Sequence, residues 1–188
     1  MTDALLDDEA QVLLLEIADR AIREALAGGE PSEPDLDTLP PRLAAPGASF
    51  VTLRRGEQLR GCIGSLEAIQ PLARDVAHNA VWAAMADPRF PRVEADEYEL
   101  ISMKLSVLTP AEPFPIGDRA DLVAKLRRGI DGLIITSGRH RATFLPSVWE
   151  QLPDVDDFLD NLWRKAGLPM QSWPRDLTVE RYRTEEFG

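Results

Sequence analysis

Apolar residues at Ile101, Met103, Leu105 and Val107 alternate with Ser102, Lys104 and Ser106. Side chains of an extended chain point to opposite faces in turn, so this pattern predicts a half-buried strand. Residues 48–54 and 58–63 read as two further strands, joined at Arg55-Gly56-Glu57 into a β-hairpin. A second hairpin is predicted from residues 133–136 and 141–145 around Ser137-Gly138, and residues 177–182 read as a closing strand. Helical spacing governs the segments between. Over residues 7–26, Val12, Leu15, Ala18, Ile22, Ala25 and Leu26 predict an apolar face that ends at Gly28-Gly29. From Pro71 to about Met85, Leu72, Val76, Ala80 and Ala83 stack on one side among many alanines, the mark of a buried helix. A short helix is predicted over 121–128, closed by Gly129. A longer one spans 153–166, with Phe158, Leu159, Leu162 and Trp163 turned inward and Gly167 beyond its end. Strands that come in hairpins, with helices between them and no strict alternation, indicate an α+β fold.

Between the first helix and the first hairpin lies an acidic, proline-rich connector without periodicity. The expected organisation is a single domain over 1–188: an acidic helix at about 7–26, a connector at 27–46 and a body at 47–188. A chain of 188 residues can bury a substantial core. The longest apolar runs, such as residues 12–15, are too short to span a bilayer, and the N-terminus lacks the pattern of a signal peptide. One cysteine forms no internal disulfide and suits a reducing compartment, so the expected location is cytoplasmic. The formal net charge is −11, and residues 1–37 supply −9 of it, with 11 acids against Arg20 and Arg23. The rest is nearly balanced, and residues 38–92 and 119–141 lean basic. That leaves room for a local anion-binding face, whereas the lack of a long basic stripe with interleaved aromatics argues against nucleic acid.

The single thiol sits in Leu59-Arg60-Gly61-Cys62-Ile63-Gly64-Ser65. In an extended strand Arg60 and Cys62 share a face, a guanidinium favours thiolate, and glycine permits close approach. Three readings of Cys62 follow: a small packing residue, a nucleophile or ligand contact, or a redox-sensing thiol. A nucleophile calls for a base, and His78, or a carboxylate such as Glu67, is the candidate; His78 shares a polar flank of its helix with Arg74 and Asp75. Asp87-Pro88-Arg89-Phe90-Pro91 is a stiffened turn. It either plugs the core with Phe90 or presents Arg89 to an anion beside Arg60, since the guanidinium fork suits carboxylate and phosphate. The candidate catalytic pair is Cys62 and His78, and the candidate ligand-binding set is Arg60, Gly61, Gly64, Ser65, Asp87 and Arg89. His140, between Arg139 and Arg141, reads as an exposed turn residue. No phosphate-cradling glycine loop and no nucleophile elbow is present, and two histidines with one cysteine argue against a structural metal. No cofactor is expected.

Four segments occur in order: 59–65 above, 87–91 above, Val107-Leu-Thr-Pro-Ala-Glu-Pro113, and Phe144-Leu-Pro-Ser-Val148 with Lys165-Ala-Gly-Leu-Pro169. Together they resemble the AMMECR domain family, whose prokaryotic members include AmmeMemoRadiSam system protein A. The resemblance covers about residues 5–182. It implies an α+β fold with a mainly antiparallel sheet flanked by helices and a smaller subdomain. It also implies Memo-type and radical S-adenosylmethionine partners, and it carries no settled reaction. This chain lacks the cysteines of a radical S-adenosylmethionine enzyme and would act as a partner to one. Many relatives have a cysteine two residues before Lys165, where this chain has Trp163, so a two-thiol mechanism lacks its second thiol here. Three functions are thus weighed: binding of a small anionic ligand or modified substrate group, catalysis by Cys62, and a non-catalytic interaction module docking through the acidic N-terminal segment.

Overall fold

The computed structural model describes residues 5–188. Along the chain it contains helix α1 (Asp8–Leu26), the short helix α2 (Pro41–Ala44) and strands β1 (Pro46–Gly47), β2 (Ser49–Arg55), β3 (Gln58–Gly64) and β4 (Gln70–Pro71). Helices α3 (Leu72–Met85) and α4 (Ala95–Tyr98) and strands β5 (Ile101–Leu108) and β6 (Glu112–Pro113) follow. The remainder holds helix α5 (Arg119–Lys125), strands β7 (Gly132–Ser137) and β8 (His140–Phe144), helix α6 (Val155–Ala166), and strands β9 (Thr178–Tyr182) and β10 (Thr184–Phe187). The fold is α+β with antiparallel pairing, and the body expected over 47–188 divides at Leu108. One compact unit holds residues up to Leu108 together with Glu185–Gly188, and the other, smaller one holds Thr109–Thr184.

In the first unit the sheet order is β10-β5-β2-β3, so β3 is an edge strand. The predicted hairpin and the alternating strand form as expected. β10 is an addition, because the chain expected to close at Tyr182 runs on into a second strand beside β5. α3 packs on β2 and β3, and α1 packs on α3. The α1 start is set by Asp7, whose carboxylate accepts the Ala10 N–H at 2.9 Å, with Asp8 and Glu9 favourably placed in the first turn. Its buried side is Ala10, Leu14, Ile17, Ala18, Ala21 and Ile22. This corrects the predicted face. Val12 is 53% exposed, because the leucine run 13–15 makes several helical phases equivalent and packing on α3 selects the one centred on Leu14. One face of α1 is thus part of the core. The connector is also more ordered than its composition suggested. It contains a 3₁₀ turn (Leu36–Thr38) and α2, and it buries Pro34 and Leu43.

In the second unit the order is β6-β9-β7-β8, with α6 packed on β8. Asp154 caps α6 by accepting the N–H groups of Asp156 and Asp157, and Gly167, at φ 73°, ends it in the left-handed conformation open to glycine. Leu133, Ile135, Phe158, Leu159, Leu162 and Trp163 fill this core, and the Trp149 ring stacks on Phe158 at 3.8 Å. α5 begins earlier than predicted because Asp118 caps it.

One close approach governs the geometry of β3. A Cβ on Gly61 would run into the backbone carbonyl of Ala83 on α3. Gly61→Ala is expected to lower stability by about 1–3 kcal/mol, the usual cost of overpacking, as read by urea denaturation of the full chain. Unchanged stability would show that α3 does not lie against β3 this tightly.

Candidate functional site

Gly61 faces α3, so its neighbour Cys62 projects from the opposite face of the first unit's sheet. Across the hairpin Cys62 pairs with Thr52, and the Thr52 hydroxyl donates to Sγ at 3.4 Å. The Cys62 N–H does not reach into the sheet. It donates to Asp87 Oδ2 at 2.9 Å, while the Cys62 carbonyl accepts from Arg89 Nη2 at 3.0 Å. Cys62 and Thr52 therefore form a non-hydrogen-bonded antiparallel pair, in which side chains stand closer, and this brings hydroxyl and thiol together. Carboxylate and guanidinium take the places of a missing strand's carbonyl and N–H, and so close an edge that would otherwise be open.

The Asp87–Arg89 clamp is itself braced. Arg89 donates from Nε to Oδ1 at 3.0 Å and from Nη2 to Oδ2 at 2.7 Å, and its backbone N–H adds a bond to Oδ1 at 3.1 Å. The two prolines that flank Arg89 and Phe90 hold the turn in which these bonds form. Asp87 is 4% exposed, and the Arg89 guanidinium holds its carboxyl well below the usual carboxylate range, against the upward push of burial, with the Cys62 and Arg89 N–H groups assisting. The partner carboxylate in turn raises Arg89. Arg89 remains more than half exposed and lies over the half-buried Phe90 ring at 5.5 Å, so one turn provides both a partial plug and a solvent-facing cation.

Arg60 is placed differently. Pairing runs Leu53↔Gly61 and then Arg54↔Leu59, which leaves Arg60 as the extra residue of a β-bulge. The bulge breaks the alternation behind the expectation that Arg60 and Cys62 share a face. Arg60 instead grips Glu97 with Nε at 2.7 Å and Nη2 at 2.9 Å, and donates to the carbonyls of Pro91 and Arg92 at 2.9 and 3.1 Å. The pair lowers the Glu97 carboxyl. These donors are spent on holding the 91–97 segment.

His78 is not brought to the thiol. It lies on the exposed side of α3, its ring 4.9 Å from the ring of Trp82, whereas Cys62 leaves the sheet on the face away from α3. Glu67 is exposed in the loop after β3. Gly64 accommodates the Phe50 ring, which a Cβ would strike. Ser65 Oγ donates to Asp75 Oδ1 at 2.6 Å, and this exposes a network that sequence reasoning missed. Asp75, placed above on a polar flank with Arg74 and His78, is fully buried. It accepts from the Ser49 N–H and hydroxyl, from Asn79 and from Gln70, and so ties β2, α3 and the loop after β3 together without a cation. The available signal was Asp75 and Asn79 four apart on an alanine-rich helix.

In the second unit, Trp163 is 1% exposed and belongs to the core. His140 is half-buried and not an exposed turn residue, its Nδ1 lying 2.9 Å from the Ala166 carbonyl at the end of α6. Among the described residues no group of three or more His, Cys, Asp or Glu side chains is placed to hold a metal ion, and no helix is long and apolar enough to cross a membrane.

A family model described as AMMECR1 matches residues 15–187. A protein of Methanothermobacter thermautotrophicus is 40% identical over 96% of this chain and 94% of its own length. One from Pyrococcus furiosus is 38% identical over 96% of this chain and 88% of its own. The crystal structure of an uncharacterized protein from Pyrococcus horikoshii superposes with a TM-score of 0.82 at 37% identity, covering 96% of this chain and 92% of that one.

The clamp gives stability a defined pH dependence. Because the folded carboxyl of Asp87 titrates below its unfolded value of about 3.9, its contribution is complete above that value and is lost as pH falls below it. Asp87→Asn is expected to cost about 1.5–3 kcal/mol at neutral pH, with the difference from the parent shrinking as urea denaturation is repeated from pH 5 toward pH 3. A pH-independent difference would show that the carboxylate charge is not what holds Cys62.

Proposed function

Since the chain belongs to the AMMECR1 family, we propose that its first unit is a binding unit for a small anionic ligand or modified substrate group, received at Arg89 beside the Cys62 thiol. The observation that carries this reading is the Asp87–Arg89 clamp. It immobilises the backbone of Cys62 on both its N–H and its carbonyl, yet leaves the guanidinium more than half exposed. A cation fixed by a buried carboxylate and a proline-stiffened turn meets a ligand at little ordering cost; Nε and Nη2 are engaged by Asp87 and the Cys62 carbonyl, and Nη1 is left to donate to an oxyanion. Arg60 supports the loop instead of contacting the ligand, because Glu97 and two carbonyls occupy it.

Catalysis by Cys62 is the lesser reading. The bond that reaches Sγ comes from a threonine hydroxyl, Asp87 is engaged with the backbone N–H, and His78 is on the far side of α3. The same proposal includes action with Memo-type and radical S-adenosylmethionine partners in a cytoplasmic setting. The ordered motifs and the lone cysteine support that part.

The test uses the chain's unique thiol. Inorganic phosphate is expected to slow alkylation of Cys62 severalfold in the parent and in Arg89→Lys, which keeps the charge, but not in Arg89→Gln. Circular dichroism confirms that each variant is folded. Equal alkylation with and without phosphate in the parent, or equal protection in Arg89→Gln, would overturn the anion site.

A further inference from the structure

Arg60 also lines a depression in the first unit, of about 430 Å³, bounded by the end of β2, the 91–97 segment and Leu100. The size falls in the usual range of small-ligand sites, roughly 300–1,000 Å³. Its charges divide into two groups. Arg60 and Glu97 satisfy one another and form a fixed wall. The remaining charged groups have few partners. Arg92 contributes only its carbonyl to that wall, and among the described residues its guanidinium has no partner. Arg55 has one long contact, 3.9 Å to Glu97, and is 57% exposed. Facing the same space are the Glu94 carboxylate, also without a side-chain partner, and Asp96, of which one oxygen caps the Glu97 N–H. Pro91 and Leu100 add apolar surface, and Leu100 is 61% exposed.

We infer that this groove binds an apolar amino-acid zwitterion, free or as a dipeptide, with the ligand carboxylate on Arg92 and Arg55, its ammonium on Glu94 and Asp96, and its side chain on Leu100 and Pro91. Two cations and two carboxylates with few partners leave this part of the groove with no net charge, which disfavours a polyanion such as nucleic acid and also a plain oxyanion. A ligand that carries both charges satisfies both sets of groups at once, and an apolar side chain covers a leucine that otherwise faces water. The wall does not have to form on binding, because Arg60 already holds it. The groove's lining includes none of Cys62, Asp87 and Arg89, so either site can fail without the other.

Titration of the ¹⁵N-labelled full chain with L-leucine and with L-leucyl-L-leucine distinguishes the free from the peptide form. One or both are expected to shift the backbone resonances of Arg92, Glu94 and Leu100. N-acetyl-L-leucine and L-leucinamide each lack one charge and are expected to bind at least about tenfold more weakly. Arg92→Gln and Glu94→Gln change unpartnered surface side chains, so both are expected to fold, as the same spectra report, and to weaken binding to a similar degree. The inference is overturned if neither leucine nor leucyl-leucine shifts these resonances in the millimolar range. It is equally overturned if the singly charged analogues bind as well as the zwitterion, if inorganic phosphate produces the same shifts, or if neither variant alters the titration.

Discussion

A single buried carboxylate, Asp87, decides how the first unit's edge strand is presented. By accepting the Cys62 N–H it removes that group from solvent, and by holding Arg89 it supplies a donor for the Cys62 carbonyl. An edge strand with open backbone groups invites pairing with another chain, and here two side chains from a rigid turn close it. Because Asp87 is buried and its charge is matched by Arg89, the desolvation cost is offset within the pair. The thiol then stands against Thr52 with little backbone freedom. The presentation of this thiol therefore depends on a residue 25 positions away that bonds to its backbone.

The two arginines that flank this strand segment illustrate how one side-chain type serves opposite ends. Arg60, 12% exposed, is surrounded by acceptors and acts as a tether for the 91–97 segment. Arg89, 54% exposed, braces the strand and still faces solvent. On the inner side, Gly61 lets α3 approach closely, and Asp75 gathers Ser49, Ser65, Gln70 and Asn79 around the start of that helix. Strand β3 is thus pinned from the helix side by absence of a side chain and from the edge side by a charged clamp. Precise placement of this kind is what a binding or reactive site requires.

The AMMECR1 match over residues 15–187 takes in both units, with the segments around Cys62 and Arg89 in one and Lys165-Ala166-Gly167 in the other. In the second unit that last motif has a structural use. Lys165 donates to the Thr143 carbonyl, and Gly167 terminates α6. The burial of Trp163 beside it makes that position part of a core in this chain.

Element identity was legible because it depends on local periodicity: alternation at Ile101–Leu108, helical spacing at Leu72–Met85, and a glycine stop after α6 all appear in the structure as read. The two segments that meet at Cys62, 59–65 and 87–91, were also singled out by residue type, a thiol among glycines and an arginine between prolines. Which groups meet was not legible. Arg60 finds Glu97 37 positions away because a bulge turns it there, and no local pattern marks the bulge. Asp75 is buried because four donors from other segments converge on it, so its helical neighbours Arg74 and His78 were misleading. The phase of α1, the packed connector and the return of β10 to the first sheet were likewise settled by contacts between distant residues. The sequence by itself determined the elements, since hydrophobic period and capping act over a few residues. The tertiary structure alone decided partners, burial and exposure, because hydrogen bonds and packing link residues that the chain keeps far apart.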